Sequence, residues 1–433
     1  MARLSYVKST LWALFLGRCG ADPAPPGDAS RDALDAPSDA PVEASQDAMA
    51  PEVEAPEAWR ERYPVDGRFT EAEWHQLQAL SPVYPLPRDD TNRVADDPRA
   101  AALGRLLFED PGFSSSGRVS CATCHEPSRA FTDGRVVAEA VGRGARNTPS
   151  VFFAAYTRWP LWDGAADSLW AQPLMAVENP REHDSSRLAL AHRMAERYRA
   201  PYEAVFAPLP RLEDGARFPP RGRPGDPPWE AMTRDDQRAV NRVAADFGKA
   251  IEAFERTLVA PPAAFDRYMA GEREALTERQ RDGLAVFVRV GCVHCHSGPL
   301  FSDDEFHSVR APDDPIGGPD RGRIDAIARV QASVFNTDGP FSDRPTGRTR
   351  TLVASPSLLG AFRTPTLRGV SRTAPYAHAG TLPTLEAMIL HETSQGLPPG
   401  DPRSLGRIDP ELLPRITFAP GELDALVAFL QAL

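Results

Sequence analysis

The chain has 433 residues, enough for two or three domains with cores built around bulky buried groups. Its formal net charge of −11 argues against nucleic-acid binding and against a basic membrane-facing patch, and it suits a basic protein partner.

The N-terminus, "MARLSYVKSTLWALFLGRCG", carries Arg3 and Lys8 ahead of the short apolar run "LWALFLG". This outlines an export signal over 1–19, with a run too short to span a bilayer. Cys19 follows the run and precedes Gly20, Ala21 and Asp22, as at a lipoprotein cleavage site, although Arg18 stands where a small residue is expected. A lipid anchor at Cys19 and plain secretion both remain open. Residues 20–58 are mostly Ala, Pro, Asp, Glu and Ser, which cannot bury enough apolar surface to offset ordering. They are expected to form a disordered acidic tether, with the folded part starting near Trp59.

Helical periodicity dominates from there on. "DDPRAAALGRLLFED" places Ala101, Leu103, Leu106 and Leu107 at spacings that can share a helical face. The stretches "SSRLALAHRMAERYRAPYEAVFAP", "DQRAVNRVAADFGKAIEAFERTLVA", "LTERQRDGLAVFVRVGCVHCH" and "APGELDALVAFLQAL" read the same way. No run alternates convincingly as strands do. Segments 207–230 and 310–350, rich in Pro, Gly and Arg, read as long loops. The expected fold is all-α.

Four of the five cysteines fall in two copies of Cys-x-x-Cys-His: Cys121, Cys124 and His125, then Cys292, Cys295 and His296. A dithiol redox pair has no use for the histidine. A zinc site joining Cys121 and Cys124 to Cys292 and Cys295 leaves both histidines unexplained. Covalent haem uses all three residues, because the thiols add across the porphyrin vinyl groups and the imidazole binds iron from the proximal side. Two haems c are therefore expected, each attached at the end of a helix. This gives two tandem cytochrome c-like domains, 59–260 and 261–433. Haem attachment of this type is extracytoplasmic in bacteria, which agrees with the export signal and a periplasmic location. His294, inside the second motif, reads as a surface histidine. His75, His192 and His307 carry no functional signal.

The stretches "LGRLLFEDPGFSSSGRVSCATCHEPSRAFTDGR", "RNTPSVFFAAYTRWPLWDGAADSLWAQ", "GCVHCHSGPLFSD" and "FRTPTLRGVSRTAPYAHAGTLPTL" together resemble the bacterial dihaem cytochrome c peroxidase family, which includes the tryptophan-oxidising MauG. The resemblance implies a peroxidatic N-terminal haem, an electron-relaying C-terminal haem, and a tryptophan between them, here Trp162. It places Gln172 and Glu182 in the distal pocket of the first haem, the carboxylate to shuttle a proton and the amide to orient peroxide. It also implies a calcium ion between the haems, held by Asn147 and by backbone oxygens of Thr373 and Pro375.

Three departures stand out. The stretch 126–182 lacks the histidine that caps the peroxidatic iron in ordinary members. Ala176 replaces a distal-pocket proline. Ala379 replaces an aspartate beside His378, which leaves hydrogen bonding around His378 in question. The resemblance implies a far-side ligand of the second iron fourteen residues beyond His378, which here is Glu392. Met388 lies one turn earlier, and His391 points about 100° away on an ideal helix. Glu392, His391 and Met388 all stay open as that ligand.

The resemblance thus implies a peroxidase that reduces hydrogen peroxide with electrons from a small cytochrome c or a cupredoxin. The alternatives are peroxide-dependent oxidation of a residue in a partner protein, as in MauG, and a dihaem electron carrier without catalysis.

Overall fold

The computed structural model describes residues 68–81 and 85–433. The export signal, Cys19, the tether and Trp59 lie outside the described residues. Thirteen α-helices carry the described part, with a ladder of only two residues per strand between β1 (Phe306–His307) and β2 (Phe362–Arg363). None of these helices is long and apolar enough to cross a membrane.

In chain order the helices are α1 (Glu71–Gln78), α2 (Pro98–Glu109), α3 (Cys121–Cys124), α4 (Gln172–Glu178), α5 (Arg187–Arg197), α6 (Arg199–Glu203) and α7 (Pro227–Glu230). Then follow α8 (Arg234–Glu255), α9 (Ala264–Met269), α10 (Glu278–Arg289), α11 (Arg323–Ala332), α12 (Leu385–Thr393) and α13 (Glu422–Leu430).

Helix α2 starts where Asp97 caps the Arg99 N–H and Pro98 occupies the first turn, where its missing N–H costs nothing. Its buried stripe is Ala100, Leu103, Gly104, Leu107 and Phe108. The sequence stripe is thus corrected by one position, and Leu106 is half exposed. Gly104 is the reason. A Cβ there would sit 1.8 Å from the Ala250 carbonyl oxygen of α8 and 3.0 Å from the Phe254 Cβ, so this face can close only around glycine. Phe108 and Phe254 then meet edge to face at 5.2 Å.

The same crossing recurs later in the chain. Gly283 of α10 meets the Ala425 carbonyl of α13, where a Cβ would lie 1.9 Å from the oxygen and 2.8 Å from the Phe429 Cβ. Phe287 packs edge to face on Phe429 at 5.4 Å. Glycine, then phenylalanine one turn on, faces alanine, then phenylalanine one turn on, in both places. Each crossing belongs to its own apolar cluster. The first gathers Leu103, Phe108, Trp170, Leu188, Val243 and Phe247, and the second Leu284, Phe287, Phe265, Phe301, Leu426 and Phe429. Cys121 packs against the first cluster and Cys292 against the second.

One expected loop is a helix. Within 310–350, α11 buries Arg323, Ala326, Ile327 and Val330, at i, i+3, i+4 and i+7. The stripe was hard to see because a charged residue opens it. The Arg323 guanidinium lies 4.2 Å from the ring centroids of both Trp159 and Phe306, which makes it a core residue.

Candidate active site

Each Cys-x-x-Cys-His motif closes on itself in the same way. The His125 N–H donates to the Cys121 carbonyl and the His296 N–H to the Cys292 carbonyl, both at 2.9 Å. The chain then turns back through a left-handed phenylalanine, Phe131 (φ 58°) after the first motif and Phe301 (φ 52°) after the second. Those turns present the Phe131 carbonyl to His125 Nδ1 at 3.0 Å and the Phe301 carbonyl to His296 Nδ1 at 2.8 Å. A proton held on Nδ1 fixes the tautomer and leaves the Nε2 lone pair for a metal. Burial lowers the pKa of both rings. The four motif cysteines are free, and burial pushes Cys124 and Cys292 up to about 12 and Cys295 to about 11.

The zinc alternative finds no geometry, since the two cysteine pairs belong to different clusters. Among the described residues, the one group of three converging metal-binding side chains is Cys295, Asp303 and His307, and it uses a single motif cysteine. His307 Nε2 donates to the Asp303 carboxylate at 2.8 Å, and His294 is exposed.

Around the first motif, Glu182 comes close enough that its charge raises the pKa of both Cys121 and Cys124. Its own carboxyl is shifted upward by burial, against the opposing pull of Asn179, whose Nδ2 donates to Oε1 at 2.6 Å. A carboxyl placed so holds a proton more readily than a solvated one. Gln172 opens α4, half-buried, and its amide has no partner among the described residues. Ala176 lies on the same helix, and its carbonyl accepts from the N–H groups of Asn179 and His183, each at 3.3 Å.

Trp162 is tied to the calcium candidates. Its indole N–H donates to the Asn147 carbonyl at 2.9 Å, and the Asn147 N–H donates to the His378 carbonyl at 2.8 Å. Asn147 Nδ2 is spent on the Arg135 carbonyl at 2.8 Å. No contact joins Asn147 directly to Thr373 or Pro375; Thr373 Oγ1 donates to the Val370 carbonyl at 3.0 Å. The question left by Ala379 is answered from another loop. His378 Nε2 sits 2.7 Å from the buried Asp313 carboxylate, and its ring stacks on Phe362 at 3.7 Å.

On the far side of the second motif, Thr384 caps α12 by accepting from the Ala387 N–H at 3.0 Å. His391 Nε2 is held on the Val309 carbonyl at 3.0 Å. The Glu392 carboxyl has no hydrogen bond among the described residues. Burial pushes it up to about 7, and its charge is felt at both Cys292 and Cys295. Met388 is half-buried on the same helix.

Comparisons with known proteins fit this geometry. The di-haem cytochrome c peroxidase family model matches residues 98–274. A methylamine utilization protein MauG of Methylorubrum extorquens is 33% identical over 338 residues, 75% of this chain and 78% of that protein. The chain belongs to the di-haem cytochrome c peroxidase family. A cytochrome c551 peroxidase of Nitrosomonas europaea is 29% identical over 361 residues, 82% of this chain and 85% of that one. The solved structure of the diheme peroxidase BthA from Burkholderia thailandensis shares the fold, with a TM-score of 0.59 at 22% identity over 78% of this chain and 86% of that chain. As a family member the protein is a haem oxidoreductase of the peroxidase type. Its donor sets fit two covalent haems c, with paired thiols beside an imidazole whose Nε2 is kept free.

Sequence reasoning missed one residue here. His183 directly follows Glu182, one position outside the histidine-free stretch, and adjacency was the only signal that could have found it.

Proposed function

We propose that the protein reduces hydrogen peroxide at the haem held by Cys121, Cys124 and His125, with electrons relayed through the haem held by Cys292, Cys295 and His296. The observation that carries this reading is the Glu182 carboxyl, raised in pKa by burial and close enough to the first motif to act on both its cysteines. A bare electron carrier needs no such group. Bound haem supplies an iron centre for peroxide and a store of electrons. The chain supplies the rest. Glu182 takes a proton from one peroxide oxygen and returns it to the other, and Asn179 keeps the carboxyl oriented. Gln172 orients the substrate from the start of α4. Trp162 lies on the path between the two halves, its N–H anchored on Asn147.

For the second haem, the reading favours Glu392 as the far-side ligand. His391 Nε2 is occupied by the Val309 carbonyl, whereas the half-buried Glu392 carboxyl has no hydrogen-bond partner among the described residues and its charge is felt at both Cys292 and Cys295. A carboxylate is a hard anion that favours ferric over ferrous iron, and this property suits the second activity, oxidation of a partner protein's residue.

The two Gly–Phe crossings support a division near residue 260 into tandem cytochrome c-like domains. The remaining parts of the reading rest on the sequence: export to the periplasm, a lipid anchor at Cys19 or plain secretion, a calcium ion near Asn147, and a small cytochrome c or cupredoxin as donor. Purified protein should carry two covalent haems by mass and should consume peroxide with a reduced small cytochrome. Loss of that turnover on replacing Glu182 tests the reading; a two-haem protein that never reacts with peroxide removes it.

A further inference from the structure

The neighbour of Glu182 is the most unusual histidine among the described residues. His183 is 5% exposed, and its Nδ1 is buried without a hydrogen-bond partner. Burying an unpaired imidazole nitrogen is unfavourable, which a pure packing role leaves unexplained. The Ala176 carbonyl is near enough to favour a ring proton without meeting hydrogen-bond geometry. His125, the proximal histidine of the first motif, is near enough for its charge to be felt at the His183 ring. The residue therefore lies in the neighbourhood of the first motif, next in the chain to Glu182.

Its backbone is pinned there. The His183 N–H donates to the Ala176 carbonyl at 3.3 Å, and the Ser115 N–H donates to the His183 carbonyl at 2.8 Å. The next residue, Asp184, takes a left-handed conformation (φ 50°), with its N–H on the Asn179 carbonyl at 2.8 Å. Helix α4 and the loop after it thus hold Gln172, Glu182 and His183 as one unit. Burial also keeps the imidazole mostly neutral, with its pKa down at about 4, so the ring offers a lone pair.

We propose that His183 is a second proton carrier of the peroxide pocket, acting beside Glu182 on hydrogen peroxide. This rests on the peroxidase reading given above. In that role an imidazole nitrogen takes the proton from one peroxide oxygen, forming N–H as O–H breaks. It then returns the proton to the other oxygen as the O–O bond breaks, and the bonding pair leaves with that oxygen as water. The ring ends as it began. The oxygen left behind becomes a second water with two electrons from the one-electron protein donor and two protons from solvent.

The test uses the full protein with both haems attached. Hydrogen cyanide must give up its proton to bind iron as the anion, so its association rate reads the base in the pocket without any turnover. In His183→Leu, cyanide association and the first reaction with peroxide should both slow by about 10²-fold or more, with haem content and resting spin state unchanged. His183→Gln keeps the size and an N–H but removes the base. It should show the same loss, and it serves if the leucine variant does not fold. Rates within about two-fold of the parent in both variants would overturn the proposal. So would a resting low-spin signal that disappears in either variant, because His183 would then be an iron ligand. Glu182→Gln, run in parallel, separates the two levels. If it alone is slowed, only the His183 assignment fails; if neither position matters, the peroxide-pocket reading fails as well.

Discussion

At the scale of single residues, the site is built from groups whose surroundings decide their protonation. Glu182→Gln keeps the Asn179 contact but removes the proton carrier, so peroxide turnover should fall by about 10²–10⁴-fold while both haems stay attached. Gln172→Leu should also lose turnover. Trp162→Phe should spare the first reaction with peroxide and slow electron delivery between the haems, which rapid-mixing spectroscopy separates. Glu392→Gln should shift the spectrum of the second haem and raise its potential, because a hard anionic ligand is lost. His391→Ala should do neither, since its ring is held on the Val309 carbonyl. A near-infrared methionine-to-iron band that vanishes in Met388→Ala would replace Glu392 by Met388. The two haem motifs were legible from five letters of sequence each, because covalent attachment demands fixed spacing. The fixing of His391 on Val309 and the supply of Asp313 to His378 were not, since both partners lie more than sixty residues away in the chain.

At the scale of elements, two helix crossings carry the fold. Alanine at Gly104 or Gly283 would drive a Cβ into a backbone carbonyl, which cannot rotate away as a side chain can. Each substitution should destabilise by about 1–3 kcal/mol or more, read as a lower midpoint in denaturant unfolding. Gly117→Ala is a useful contrast. That position has open space around it, so its cost comes only from the left-handed backbone (φ 64°). Helical periodicity made the helices themselves readable. It misplaced the buried stripe of α2, because a glycine chosen for close approach does not register as apolar. It missed α11, because the buried face begins at Arg323, whose cost is met by two aromatic rings on other segments.

At the scale of the whole molecule, several carboxyls are shifted upward in pKa by burial. Burial pushes Glu255 to about 8, with its Oε2 unpartnered, and Asp246 to about 6. A carboxyl whose folded pKa exceeds its unfolded value binds more protons when folded. Stability must then fall as pH rises from about 4.5, the unfolded range, through about 8 for Glu255. Denaturant titrations of the holoprotein across that window should show the decline, and Glu255→Gln should flatten its upper part. An unchanged slope in that variant would mean that Glu255 ionises without penalty. The sequence revealed the net charge but not these groups, since only packing decides which carboxyls lose water.

The ferric protein as isolated offers the most direct check that the first haem is built for peroxide. With no histidine in 126–182, and with His183 proposed as a proton carrier, the iron that His125 would hold is left without an imidazole to cap its far side. Electron paramagnetic resonance should therefore show one high-spin ferric haem, and that signal should respond to hydrogen peroxide with no prior reduction. Two low-spin haems that stay inert to peroxide until an electron is added would contradict it.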